Sequence, residues 1–86
     1  MIHTTTKRFW KTYWNLTPKT RDLADKAFDL LKENLSHPSL QFKKVGKLYS
    51  ARIDIFHRAL AVKDENGYIW VWIGNHTEYE RLIQSE

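Results

Sequence analysis

The chain has 86 residues, a length that fits one domain, 1–86. It has no cysteine, which excludes disulfides and thiolate metal sites, and its apolar runs are too short for a signal peptide or a membrane span, so the cytoplasm is the expected compartment. Its formal net charge of +4 is concentrated in residues 43–58, where Lys43, Lys44, Lys47, Arg52 and Arg58 face a single acid, Asp54. Such a stretch points to a polyanion or an acidic protein partner, or else to a solvated basic face.

Residues 6–15, TKRFWKTYWN, put Phe9, Trp10, Tyr13 and Trp14 at helical spacing in one wide aromatic stripe. Base stacking and core packing both use such a stripe. A chain this short needs large rings inside, so packing is the expectation. Thr17-Pro18 reads as a capped helix start with proline at the first helical position. A second helix then runs to about Asn34, with Leu23, Ala24, Ala27, Phe28, Leu30 and Leu31 inward. The two helices form a hairpin over about 6–35. Pro38 breaks the pattern and biases His37 toward an extended turn conformation.

From residue 40 the hydrophobic period changes from 3.6 to 2. Leu40 and Phe42 open a short strand, and Gly46-Lys47 turns the chain. Over 48–56, Tyr49, Ala51, Ile53 and Ile55 alternate with Ser50, Arg52 and Asp54, the pattern of a half-buried strand. A connection near Phe56-His57 leads into a strand over 58–63. Asn66-Gly67 is the strongest hairpin signal, and YIWVWI, 68–73, is apolar on both faces, as an inner strand is. Thr77 is positioned to cap a last helix, about 77–84, with Tyr79, Leu82 and Ile83 inward. The predicted fold is α+β. An N-terminal helical hairpin packs on one face of a three- to four-stranded antiparallel sheet, about 39–73, and a short C-terminal helix follows. The open face would carry Arg52.

The residues that could do chemistry narrow by elimination. His3, His37, His57 and His76 lack the spacing of common zinc sites, so no metal is expected. Nucleophile elbows, phosphate-cradling glycine loops and paired catalytic carboxylates are all absent from the sequence, and no cofactor is implied. Lys43, Lys44, Arg52, His57, Arg58, His76 and Tyr79 remain, spread over three strands and the last loop. That set suits metal-free phosphodiester cleavage, because RNA brings its own nucleophile, the 2′-hydroxyl. Arginine clamps phosphate oxygens, and His76 has the proton affinity for acid–base work near neutral pH. Tyr79 is suited to stacking on a base or holding a phosphate, or to packing alone; Arg52 has Asp54 two residues on as an alternative partner.

The stretch SLQFKKVGKLYSARIDIFHRALAVKDENGYIWVWIGNHTEYERLI resembles the RelE/ParE superfamily of toxins from bacterial toxin–antitoxin systems. The likeness lies in order and spacing: a basic strand, Gly-x-x-Tyr-x-x-Arg-Ile, His-Arg-x-Leu-x-Val, then an apolar strand ending in Gly-x-His-x-x-Tyr. It implies a toxin neutralised by an antitoxin, and for many relatives an endoribonuclease that cuts messenger RNA on the ribosome. By position, Arg58 matches the arginine that steadies the scissile phosphate, and Arg52 the basic residue on the preceding strand. His76 and Tyr79 match residues after the last strand. Lys43 and Lys44 match a region that supplies lysines, and with Lys47 and His57 they complete the expected RNA-binding set. ParE-type relatives instead poison DNA gyrase without cutting RNA, and a binding module without activity is the third alternative.

Overall fold

The structure is a computed structural model that describes residues 2–84. It opens with a strand, β1 (Ile2–Thr5), followed by helices α1 (Lys7–Trp14) and α2 (Pro18–Glu33). Thr6 and Thr17 cap the two helices, their hydroxyls accepting from the amides of Phe9 and Thr20. Thr17 and Pro18 therefore do what the sequence implied. A 3-10 turn over Pro38–Leu40 leads into β2 (Lys43–Val45), β3 (Leu48–Arg52), β4 (His57–Asp64), β5 (Gly67–Asn75) and the closing helix α3 (His76–Gln84).

The sheet has five strands in the order β1-β5-β4-β3-β2. Strands β2 to β5 form the expected antiparallel meander, and β1 adds to it in parallel, with Ile2 opposite Gly67 and Thr5 opposite Trp70. This fifth strand lies outside the three- to four-stranded expectation, since it is barely visible in the residue pattern of Ile2–Thr5. IHTT is short, largely exposed and polar, so no alternation marks it.

The strand ends also differ from expectation. β3 stops at Arg52 because Ile53 and Asp54 turn back, their amides donating to the His57 carbonyl at 3.0 and 3.3 Å. Ile55 therefore leaves the apolar face on which alternation placed it. The β4–β5 turn is Glu65-Asn66, and Gly67 already lies in β5. Gly67 is used for closeness rather than for turning: a Cβ there would meet the Ile2 carbonyl oxygen at 1.8 Å. At the start of α3 the Asn75 Oδ1, not Thr77, accepts from the Glu78 amide at 2.9 Å.

Two apolar layers cover the sheet. On one face Phe9 and Tyr13 of α1 and Ala24 and Leu31 of α2 pack over Ala51, Ala59, Ala61, Tyr68, Trp70 and Ile73. Trp10 and Trp14, expected inside with them, lie exposed, because eight helical residues turn one stripe inward and not two. The opposite face carries a smaller cluster of Leu60, Trp72 and Tyr79, flanked by Leu48, Val71, Leu82 and Ile83. α3 thus packs on the side of the sheet away from the hairpin, where the sequence had implied an open face.

A shift of register between Leu60 and Ala61 makes this possible. Leu60 pairs with Trp72 and Ala61 with Trp70, which leaves Val71 as an extra residue on β5. The bulge reverses the side-chain phase, so Trp70 enters the first core and Trp72 the second.

Gly67→Ala should cost about 1–3 kcal/mol by forcing β1 away from β5. Urea unfolding measures the loss, and unchanged stability would show that β1 does not need the missing Cβ.

Candidate functional site

The antiparallel register sets a row of residues across one end of the sheet. Arg52 of β3 is opposite Arg58 of β4, which is opposite Gly74 of β5. The next row contains Lys43, Ser50, Leu60 and Trp72. Both rows belong to the face on which α3 packs.

Arg58 is held from three sides. Its Nη1 donates to Ser50 Oγ at 3.2 Å and its Nη2 to Gln41 Oε1 at 2.8 Å. Its guanidinium carbon lies 5.4 Å from the centre of the Tyr79 ring. Ser50 is fully buried, and Gln41 adopts a left-handed backbone with φ of 42° just before β2. Fixed in this way, the fork loses little further freedom when it grips a planar oxyanion. Gly74 leaves room for its neighbour: a Cβ there would fall 2.4 Å from the Trp72 ring, which lies across that position.

Tyr79 is the platform. His76 stacks on the ring with centroids 5.9 Å apart and an interplanar angle of 27°. The His76 Nε2 also lies 3.1 Å from Glu80 Oε1, one helical turn on, with both side chains about half exposed. Arg58 and His76 therefore both rest against one aromatic ring. Tyr79 itself is 3% exposed, and among the described residues its hydroxyl is the buried side-chain polar atom with no hydrogen-bond partner. Leaving such a group unsatisfied is costly, and where native proteins tolerate one it is often near a working site.

The other sequence candidates divide. Lys43 is exposed on the Arg58 side of the sheet, in register with Ser50. Lys44 is one residue on, opposite Tyr49, and so points to the other face. Lys47 sits in the β2–β3 turn, five residues from Arg52 and so about 16–17 Å along the strand. Arg52 shares the Arg58 row but borders a cavity of about 190 Å³ with Leu23, Lys26 and Leu30 of α2. It does not pair with Asp54, which is engaged elsewhere.

His57 is not aimed at the row. Its Nδ1 lies 2.9 Å from Asp54 Oδ1, and the same oxygen accepts from the Phe56 amide at 2.7 Å. Asp54 therefore ties the β3–β4 turn together. Partial burial pushes its carboxyl up, but the hydrogen bonds from the His57 ring and the Phe56 amide outweigh this, and its pKa is lowered. Gln41, Ser50 and Asp54 were missed as site-forming residues, because each acts by orienting another group and carries no motif of its own. No cluster of His, Asp or Glu suited to a metal occurs among the described residues, and no helix there is long and apolar enough to cross a membrane.

With this geometry in hand, comparison with solved structures gives one consistent result. The chain matches the RelB–RelE antitoxin–toxin complex from Methanococcus jannaschii with a TM-score of 0.73 and 13% identity, over 92% of this chain and 96% of that one. It matches the YoeB dimer from Staphylococcus aureus at 0.66 and 17%, over 88% and 97%. The YoeB/ParE toxin from Agrobacterium tumefaciens gives 0.67 and 15%, over 88% and 99%. No family model and no curated protein matches the sequence. The chain has the α+β fold of the RelE/ParE toxins. More particularly, it is similar along most of its length to RelE and YoeB.

Two outcomes test the site's architecture. Tyr79→Phe should leave stability unchanged or raise it by about 1 kcal/mol, since it removes an unpaired buried hydroxyl while keeping the ring. A loss of that size would reveal a partner for the hydroxyl. The folded state prefers ionised Asp54, so its contribution is present above the ordinary carboxylate range and is lost as acid takes the pH down through its lowered pKa. Asp54→Asn should therefore destabilise by about 1–2 kcal/mol at pH 7 and make unfolding less sensitive to acid. Equal acid sensitivity in both chains would contradict this.

Proposed function

We propose that the chain is the toxin of a toxin–antitoxin pair and that it cuts messenger RNA without a metal, with the ribosome supplying the aligned substrate. The observation that carries the reading is that Arg58 and His76 each lie against the Tyr79 ring at the end of the sheet. The fold shared with RelE and YoeB supports it.

In the proposed reaction the Arg58 fork holds the two non-bridging oxygens of the scissile phosphate, and Lys43 adds charge nearby. The ribose 2′-hydroxyl attacks the adjacent phosphorus. The bond to the departing 5′-oxygen breaks, leaving a 2′,3′-cyclic phosphate on one product and a 5′-hydroxyl on the other. His76, half exposed, exchanges protons with these oxygens. Tyr79 keeps Arg58 and His76 at fixed separation from beneath. Arg52 extends the positive field along the same row.

The partner in this reading is an antitoxin whose acidic, partly disordered segment covers the basic row. The RelB–RelE neighbour is an antitoxin–toxin complex. The alternative is a gyrase inhibitor that cuts no RNA, and the Agrobacterium neighbour, a YoeB/ParE toxin, is the observation in its favour.

Arg58→Ala should lower cleavage of ribosome-bound messenger by about 10²–10³-fold and His76→Ala by about 10²–10⁴-fold, both without loss of fold. Primer extension on cellular messengers reads the cuts, and a supercoiling assay reads gyrase. Intact messengers with inhibited gyrase would reject the nuclease in favour of the alternative.

A further inference from the structure

The β3–β4 turn presents two large apolar side chains to solvent, Ile55 at 68% and Phe56 at 63% exposure. Ordinary loop tips are polar and loose. This one is braced from several directions. Asp54 Oδ1 accepts from the Phe56 amide and lies 2.9 Å from the His57 ring nitrogen. The amides of Ile53 and Asp54 donate to the His57 carbonyl. The Phe56 carbonyl accepts from the His76 amide at 2.7 Å, which joins the turn directly to the first residue of α3.

An apolar ring in water gains nothing by being held still, whereas a ring that must meet a planar ligand does. Phe56 stands two residues before Arg58, at the point where the turn passes into β4. Its backbone touches that of His76. The cations on this face, Arg58, Arg52 and Lys43, outnumber the acids beside the turn, Asp54 tied to the Phe56 amide and Glu80 against His76, and this favours an anionic polymer with flat bases over an apolar protein segment.

We propose that Phe56 is a base-stacking residue. It receives the nucleobase next to the phosphate held by Arg58 and so fixes the position of single-stranded RNA relative to His76. The assignment rests on the RNA-cutting reading above and adds to it the residue that registers the strand. Stacking is blind to base identity in the first order, so Phe56 should contribute affinity and placement rather than a strict sequence preference.

The test uses the full chain and a short 2′-O-methylated RNA oligonucleotide, which has no free 2′-hydroxyl to react, followed by fluorescence anisotropy. Phe56→Ala and Phe56→Leu should each weaken binding by roughly tenfold. Phe56→Trp should retain it, and all three should unfold at the wild-type midpoint. Equal binding by Phe56→Leu and the wild type would show an apolar contact of the kind a protein partner makes, and would overturn the proposal. So would a wild-type chain that does not bind the oligonucleotide. The RNA-cutting reading fails separately, if ring-dependent binding is found in a chain that leaves ribosome-bound messenger whole.

Discussion

The extra residue at Val71 is the constraint on which the rest of the structure depends. An unbroken strand alternates its side chains, so Trp70 and Trp72 would face the same way. With Val71 unpaired they face opposite ways. Trp70 meets Phe28 at 5.4 Å between ring centres under the helical hairpin, and Trp72 joins Leu60 and Tyr79 beneath α3. The sheet thereby acquires a second apolar face large enough to seat one short helix. That helix brings Tyr79 to Arg58 and sets His76 against the same ring, which β4 alone could not do. Bulges near working sites commonly re-aim side chains in this manner.

The fixed position of Arg58 follows from the same arrangement. Its row-mates Arg52 and Gly74 come from flanking strands, its hydrogen-bond partners Ser50 and Gln41 from β3 and the loop before β2, and its aromatic support from α3. An exposed arginine on a flexible stem would sample many positions. One held on three sides is prepared for an anion before the anion arrives, and preorganisation of this kind is the principal means of stabilising charge that develops during reaction. The unpaired Tyr79 hydroxyl is the one conspicuous cost in this region.

Much of this was legible from the residues. Thr17-Pro18 marks its helix, the change of period after Leu40 marks the meander, and the order of Arg58, His76 and Tyr79 along the chain is enough to suggest one site. What was hidden has physical reasons. IHTT carries no alternation because an edge strand beside β5 buries little. Gly67 and Gly74 look like turn residues, but each is small for the sake of a neighbour, the Ile2 carbonyl and the Trp72 ring. The run YIWVWI is apolar throughout, so no periodicity within it reveals where the phase reverses. Without that reversal, α3 cannot be assigned to the correct face, and Ser50, Gln41 and Asp54 cannot be recognised as supports.

The four tryptophans report on this account directly, because they are distributed over different surfaces. Trp72 lies in the α3 layer beside Gly74, Trp70 lies under the hairpin, and Trp10 and Trp14 are exposed on α1. In ¹⁵N-labelled protein titrated with non-cleavable RNA, the Arg58 side chain and the Trp72 indole N–H should move together while the Trp10, Trp14 and Trp70 indoles stay in place. Shifts confined to Trp10, Trp14 and Trp70 would put RNA on the helical face and contradict the account.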